Sequence, residues 1–231
     1  MSDKMEMRLT PGKRLKRVIF SHLIERLFLK GAKSRVTRLS AKFIFSTHEK
    51  NPGARLFHSR EQLWESFRDT LGKSEWIGFE FGVASGDATK TFLKFPFAEN
   101  CLQWNGFDTF LGLPDAWGDL PRGAFSTGGN PPSIQNVKVK WHIGLIQETC
   151  VAIDSLSFLD KKFVVIFDFD LYSATKAAWD VLSKFLKAGD ILYFDEAYEA
   201  DEARMINEIL ETSIKLEILG YTTMGIAYKV N

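Results

Sequence analysis

Two segments in the first third of the chain have the spacing of amphipathic helices. In residues 13–29, apolar positions recur at three- and four-residue intervals, which is typical of a helix with one buried face. The same spacing over residues 59–72 predicts a second helix, with Ser59 as its N-cap and Gly72 at its end. The apolar stripe of residues 13–29 is wide enough to be buried in protein.

From residue 75 onwards the pattern changes to short apolar runs that alternate with helical segments. The runs predict strands at residues 76–81, 137–143, 163–167, 191–194, 215–219 and 225–230. They also indicate a strand that ends at residue 108. The segments between them predict helices at residues 86–95, 172–187 and 199–213. This alternation indicates βαβ units, and therefore an α/β fold with a mostly parallel sheet and helices on both faces. The final strand–turn–strand predicts one antiparallel strand near an edge.

Charge is divided unevenly along the 231 residues. Residues 1–50 carry 13 Lys and Arg against 4 Asp and Glu, whereas residues 51–231 carry 17 basic and 25 acidic residues. The chain is therefore interpreted as a basic N-terminal helical extension, 1–50, and a domain, 51–231. For the extension we favour packing within a homo-oligomer or a role as a lid. The alternatives are peripheral contact of residues 13–29 with an anionic membrane and a nucleic-acid-binding arm.

Cysteine usage and hydropathy predict an intracellular protein. Cys101 and Cys150 are far apart and form no CxxC motif, so they indicate neither a disulfide framework nor a zinc site. No run reaches the roughly 18 apolar residues of a membrane-spanning helix. Polar side chains interrupt residues 18–29, the most apolar stretch near the N-terminus. We expect a cytoplasmic location.

A glycine turn follows the first predicted strand. Gly82 and Gly86 are spaced as GxxxG before the next helix, whose N-terminus favours an anionic group. The middle glycine of GxGxxG is missing, which disfavours an NAD-linked dehydrogenase. Asp108 lies 22 residues after Gly86, at the end of the next strand, where an acid can bind the ribose of a nucleoside. A plain strand–helix turn and an Asx cap are the alternatives.

Four carboxylates follow two predicted strands. Asp168 and Asp170 come after one strand, and Asp195 and Glu196 come after the next. The carboxyl ends of parallel strands meet at one edge of the sheet, where such acids repel each other unless a cation is present. Oxygen-only ligands favour Mg²⁺, Ca²⁺ or Mn²⁺. The alternative is that Asp170 and Asp195 cap the helices that follow.

Three long segments, in order, resemble one enzyme family. The first motif of class I S-adenosyl-L-methionine-dependent methyltransferases is similar to GFEFGVASGDATKTFL. The macrocin/mycinamicin/novobiocin-type O-methyltransferases have motifs similar to GFDTFLGLPDAWGDLPRGAFSTGG and VVIFDFDLYSATKAAWDVLSKFLKAGDILYFDE. The resemblance covers about residues 75–229. It implies a Rossmann-like sheet of seven strands, mostly parallel, with the last strand antiparallel.

The resemblance also implies where a cofactor and a metal bind. S-adenosyl-L-methionine would contact the glycine turn and the ends of the following strands, through Glu80, Phe81, Gly82, Val83, Gly86, Asp108, Thr109, Gln147, Glu148 and Asp168. Mg²⁺ or another divalent cation would be held by Asp168, Asp195 and Glu196. Glu196 departs from the family pattern, because the antibiotic-tailoring members more often have Asp there.

The function that the resemblance implies is O-methylation of a small-molecule hydroxyl, on a sugar or natural-product-like acceptor. Asp168 or Asp170 would take the proton, and a bound cation would lower the pKa of the acceptor hydroxyl. The loop 112–134 would close over the site, with Trp117 and Phe125 as candidate acceptor contacts. Packing within the loop is the alternative for both residues. The alternatives are a non-catalytic S-adenosylmethionine-binding module and a nucleic-acid methyltransferase that uses the basic extension.

Overall fold

The computed structural model describes residues 35–117, 119–155 and 160–231, without the side chains of residues 154 and 155. The predicted helix over residues 13–29 lies outside these ranges. The chain divides between Gly53 and Ala54 into two units. Within the first unit, the described residues form one helix, α1 (Arg35–Lys50). The boundary at 50 that the charge pattern predicts stays a prediction.

Seven strands form a single sheet in the second unit. They are β1 (Trp76–Phe81), β2 (Cys101–Asp108), β3 (Val139–Ile143), β4 (Lys162–Phe167), β5 (Ile191–Phe194), β6 (Leu216–Tyr221) and β7 (Ile226–Val230). Their order is β3-β2-β1-β4-β5-β7-β6. Only β7 runs antiparallel to its neighbours among the described strands. The Rossmann-like α/β fold with a reversed last strand is therefore confirmed.

Helices flank this sheet. They are α2 (Arg60–Glu65), α3 (Arg68–Leu71), α4 (Asp87–Phe92), α5 (Ile146–Thr149), α6 (Tyr172–Leu182) and α7 (Ala200–Leu210), with 3₁₀ turns at Pro96–Asn100, Cys150–Ser155 and Ser183–Phe185. In the described part of the chain, no helix combines the length and the apolar character needed to cross a bilayer.

The helix predicted over residues 59–72 is two short helices. Ser59 is the N-cap, as expected, and its hydroxyl accepts a hydrogen bond from the backbone N–H of Gln62. Ser66 is the C-cap of the first helix, and its hydroxyl donates to the Leu63 carbonyl oxygen at 2.6 Å. A serine hydroxyl that competes for a helix carbonyl in this way weakens the next helical turn.

An aromatic cluster fixes α2 against the sheet. Trp64 of α2 packs edge-on against Tyr193 of β5, with ring centroids 5.4 Å apart, and lies 4.7 Å from Phe92 of α4. All three rings are buried. Aromatic pairs of this kind add about 0.5–1.5 kcal/mol beyond the burial of their area. Because Arg60 lies one turn before Trp64, this packing also determines where Arg60 lies.

The parallel register brings the carboxyl ends of four strands to one edge. Phe81 at the end of β1 pairs with Phe107 of β2 and with Phe167 of β4, and Phe167 pairs with Phe194 of β5. The residues that follow each strand are therefore neighbours. This edge is where open α/β sheets bind their ligands.

Gly78 in β1 provides a test of the sheet packing. A Cβ at this position would lie 2.1 Å from Cε3 of Trp104, whose indole is fully buried and donates hydrogen bonds to Glu80 and Thr89. Since the ring cannot move away freely, we expect Gly78→Ala to lower the free energy of unfolding by about 1–3 kcal/mol. Urea denaturation measures this change.

Gly53→Ala is the matched control, because a Cβ there would meet no atom within 4 Å. Equal loss of stability in the two variants would contradict the packing described for β1 and β2.

Candidate active site

A cavity of about 640 Å³ lies at the carboxyl edge of the sheet. This volume is in the range of small-molecule binding sites, about 300–1,000 Å³. Eleven predicted site residues line it, namely Glu80, Gly82, Val83, Asp108, Thr109, Gln147, Glu148, Asp168, Asp170, Asp195 and Glu196. Trp117 and Phe125 of the long loop line it too. The cavity therefore gathers residues from the ends of five strands, β1 to β5.

Two predicted cofactor-binding residues, Phe81 and Gly86, do not line this cavity. The Phe81 ring is fully buried and packs between Phe107 and Phe167, with centroid distances of 5.0 and 5.4 Å. Gly86 is covered by the long loop, because a Cβ there would lie 2.7 Å from Pro132. Phe81 is a core residue, and Gly86 is the N-cap of α4 beneath that loop.

At Gly82, two backbone segments of the site lie in direct contact. Its φ is +91°, and a Cβ would lie only 1.9 Å from the carbonyl oxygen of Asp168. The turn after β1 therefore passes directly against the first residue after β4. No other residue fits this position without moving one of the two segments.

Backbone strain in non-glycine residues is concentrated at the cavity. In the described residues, Ala84, Phe110, Phe125 and Asp170 have a positive φ, between 45° and 65°. Three of them line the cavity, and Phe110 follows the lining residue Thr109. Such conformations cost about 1–3 kcal/mol each and are typical of functional sites.

The Asp108 carboxylate holds two loops together. Its Oδ2 accepts hydrogen bonds from the backbone N–H groups of Val83 and Ala84, at 2.7 and 2.8 Å, and its Oδ1 accepts one from Phe110 at 2.7 Å. A carboxylate has about four acceptor positions. Asp108 therefore keeps about one, on Oδ1, for a ligand hydroxyl. Two ribose hydroxyls would need two free acceptor positions, so Asp108 has one too few to accept from both.

Glu80 lies at the base of the cavity and is almost fully buried. Its Oε2 accepts hydrogen bonds from the hydroxyl of Thr89 and from the indole N–H of Trp104, the latter at 2.8 Å. Burial raises the pKa of Glu80 to about 7, although these two donors act in the opposite direction. Burial therefore favours the protonated form of Glu80 more than in a glutamate exposed to water.

Three acids can converge on a single ion. One ligand oxygen from each of Asp168, Asp195 and Glu196 lies within 4.8 Å of the others. Burial and the charges of Asp195 and Asp170 raise the pKa of Asp168, and burial with the charges of Asp168 and Asp195 raises that of Glu196. Asp170 is next to this group, and burial, Asp195 and Glu199 raise its pKa to about 7.

Asp195 has two partners that sequence patterns did not reveal. Arg60 donates from Nη1 to its Oδ2 at 3.0 Å, and the Tyr193 hydroxyl donates to its Oδ1 at 2.6 Å. Arg60 also lies over the Trp64 ring, 5.0 Å from its centroid. Among the described cavity-lining residues, Arg60 is the one basic side chain. No local motif marks it, since it reaches the acids only through the docking of α2.

Two observations indicate that these acids suit a divalent cation. The donors are all carboxylate oxygens, which hard cations such as Mg²⁺ and Mn²⁺ prefer. Glu196 Oε2 is buried and accepts no hydrogen bond within the described structure. A buried carboxylate oxygen without a partner is rare, and a cation would satisfy it.

Comparison with known proteins identifies the fold. No family model and no curated protein matches the sequence. The calicheamicin methyltransferase CalS11 has a similar structure, with a TM-score of 0.58 and 17% identity, over 99% of this chain and 98% of that chain. The apo structure of CalS11, described as a TDP-rhamnose 3'-O-methyltransferase, gives 0.50 and 17% over 96% of each chain.

The O-methyltransferase NovP is a third similar structure, with a TM-score of 0.50 and 15% identity over 73% of this chain and 78% of that chain. At these identities the likeness establishes the fold. It is the class I methyltransferase fold that the sequence resemblance predicts.

The pH dependence of stability tests the environment of Glu80. A carboxyl group whose pKa is higher in the folded protein stabilises it below the unfolded pKa, and this stabilisation is lost as the pH rises through the folded pKa. For Glu80 the two values are 4.5 and about 7, a difference worth about 3 kcal/mol. We expect Glu80→Gln to remove this part of the pH dependence.

Urea denaturation of wild type and Glu80→Gln at pH values from 4 to 8, without cofactor, measures the difference. The advantage of the wild type over the variant should fall as the pH rises. Parallel pH profiles would contradict the buried state of Glu80.

Proposed function

We propose that the protein is an S-adenosylmethionine-dependent O-methyltransferase that acts on a hydroxyl group of a small molecule. The observation that carries the proposal is the meeting, in one cavity, of the glycine turn, Asp108 and the acids after β4 and β5. The fold shared with CalS11 and NovP supports it.

The cofactor site would occupy the part of the cavity between β1 and β3. Gly82 and Val83 line it on one side, and Gln147 and Glu148 line it on the other. The N–H groups of Val83 and Ala84 are already bonded to Asp108, so they serve to shape the turn. Asp108 keeps one acceptor position for a ribose hydroxyl.

When bound, S-adenosylmethionine supplies an electrophilic methyl carbon. The chain must then align an acceptor oxygen with that carbon and take its proton. Asp170 suits the second task, because it lines the cavity and has a pKa of about 7. Asp168 is the alternative base. If it holds a cation, Asp170 is the freer of the two.

A divalent cation at Asp168, Asp195 and Glu196 would lower the pKa of a hydroxyl that it binds. Arg60 would keep Asp195 oriented through its 3.0 Å contact. This part of the proposal rests on the convergence of the three acids and on the unpartnered oxygen of Glu196.

The acceptor would lie beneath the long loop. Leu113, Pro114, Trp117 and Phe125 of this loop form an aromatic and apolar part of the cavity wall, with Asp115 beside them. Apolar walls with a few polar groups suit an acceptor that combines a ring with hydroxyl groups. A sugar or a natural product that carries one has this chemistry. A cytoplasmic location and a homo-oligomeric state stay predictions.

Transfer of a labelled methyl group tests the proposal. Full-length protein with Mg²⁺ and labelled S-adenosylmethionine is incubated with separate panels of nucleotide-activated sugars, glycosides, phenols and RNA. We expect label on a hydroxyl of a small molecule. Asp168→Asn should lower the rate about 100-fold or more, because Asp168 is a proposed ligand of the cation and the alternative base. A chelator should lower it too.

The control is Asp160→Asn, a change at an acid whose side chain is 73% exposed and away from the cavity. Its rate should equal that of the wild type. Label found only on RNA, or equal rates for Asp168→Asn and the wild type, would contradict the proposed function.

A further inference from the structure

Glu202 is a buried acid directly behind the acids of the cavity. It belongs to the first turn of α7, is 0% exposed and does not line the cavity. Its Oε2 accepts a hydrogen bond from the backbone N–H of Glu196 at 3.0 Å. Glu202 thus contacts the chain at the residue whose side chain reaches the cation position.

The Glu196–Glu202 pair contains unused acceptor atoms. Within the described residues, three buried side-chain atoms lack a hydrogen-bond partner, and two of them are Glu196 Oε2 and Glu202 Oε1. Leaving a buried polar group without a partner is costly, so natural structures rarely keep two together without a use for them.

Local charge makes this arrangement more unusual. Burial raises the pKa of both glutamates, and the charges of Asp168, Asp170 and Asp195 raise it further. The guanidinium of Arg60 is bonded to Asp195, on the cavity side. In this cluster of acids, carboxyl groups therefore outnumber positive charges.

We propose that Glu202 is a positioning residue for the divalent-cation site. It anchors the backbone of Glu196, whose side chain is one of the three that converge at the candidate cation site. This inference rests on the cation part of the proposed function.

The length of Glu196 explains why an anchor is useful. A glutamate has one more rotatable bond than an aspartate, so more side-chain entropy is lost when it holds an ion. Fixing its backbone N–H reduces the freedom of the residue before the ion binds. Supporting groups of this kind usually change metal affinity by about 10–100-fold.

Glu202 could instead serve only α7, since acids in the first turn of a helix interact well with its dipole. Asp201 already lies in that turn and accepts a hydrogen bond from the N–H of Tyr172 at 3.3 Å. A role limited to the helix would leave cation affinity unchanged when Glu202 is replaced. The two roles therefore differ in one measurable quantity.

Binding of Mn²⁺ to the full-length protein, followed by electron paramagnetic resonance, tests the inference. Glu202→Ala removes the oxygen that accepts from the Glu196 N–H, whereas Glu202→Gln keeps one. We expect the Kd of Glu202→Ala for Mn²⁺ to be about 10-fold or more above that of the wild type, and the Kd of Glu202→Gln to stay close to it. Glu211→Gln is the matched control, an exposed acid that follows the same helix, and its Kd should not change.

Thermal unfolding and calorimetric titration with S-adenosylhomocysteine show whether each variant is folded. If Glu202→Ala does not fold, Glu202→Asp is used, which shortens the reach to the Glu196 N–H, and a weaker affinity is again expected. Affinity for Mn²⁺ within twofold of the wild type in folded Glu202→Ala, or in folded Glu202→Asp where that variant is used, overturns the inference.

The same experiment separates this inference from the proposed function. A wild type that binds S-adenosylhomocysteine without binding Mn²⁺ overturns the inference and the cation site, and leaves methyl transfer standing. A wild type that binds Mn²⁺ without binding S-adenosylhomocysteine overturns the proposed function, and the Glu202 comparison can still be read.

Discussion

The parallel pairing of β1 with both β2 and β4 is the constraint on which the rest of the structure depends. It places three chain segments side by side as they leave the sheet. Gly82 N–H donates to the Phe107 carbonyl at 3.0 Å, and Asp168 N–H donates to the Phe81 carbonyl at 2.8 Å. Backbone contacts alone therefore bring the glycine turn, Asp108 and Asp168 together. Side chains then decide what the site can bind.

Those side chains are mainly acids held away from water, and this is costly for the folded protein. Burial and mutual repulsion raise the pKa values of Glu80, Asp168, Asp170 and Glu196. Arg60 offsets part of the charge through Asp195. Together with the positive φ of Asp170, this pattern is typical of a site selected for chemistry at some expense of stability. A bound cation would offset much of the remaining repulsion.

The parts of the fold that could be predicted are those whose signal is local. β1, β4 and β5 are almost entirely buried, so they read as unbroken apolar runs. The acids that follow β4 and β5 could be placed at the sheet edge, because parallel strands end together. The break at Ser66 was missed, since it depends on one hydroxyl that the apolar spacing does not register.

Long-range contacts explain what the sequence could not predict about the site. Arg60 reaches Asp195 across 135 positions, through the packing of Trp64 on Tyr193. Pro132 of the long loop lies against Gly86, whose contact with the cofactor stays a prediction. These two contacts require the folded arrangement of distant segments. Glu202 is only six positions from Glu196, but it belongs to no motif that would mark its contact.

A crystal structure of the full-length protein with S-adenosylhomocysteine tests the central claim most directly. The account predicts one molecule per chain in the cavity at the carboxyl edge of the sheet. Its ribose should contact Asp108 Oδ1, and its sulfur should lie on the side of Asp168 and Asp170. A cavity without ligand at saturating S-adenosylhomocysteine, or a ligand bound elsewhere on the chain, would contradict the account.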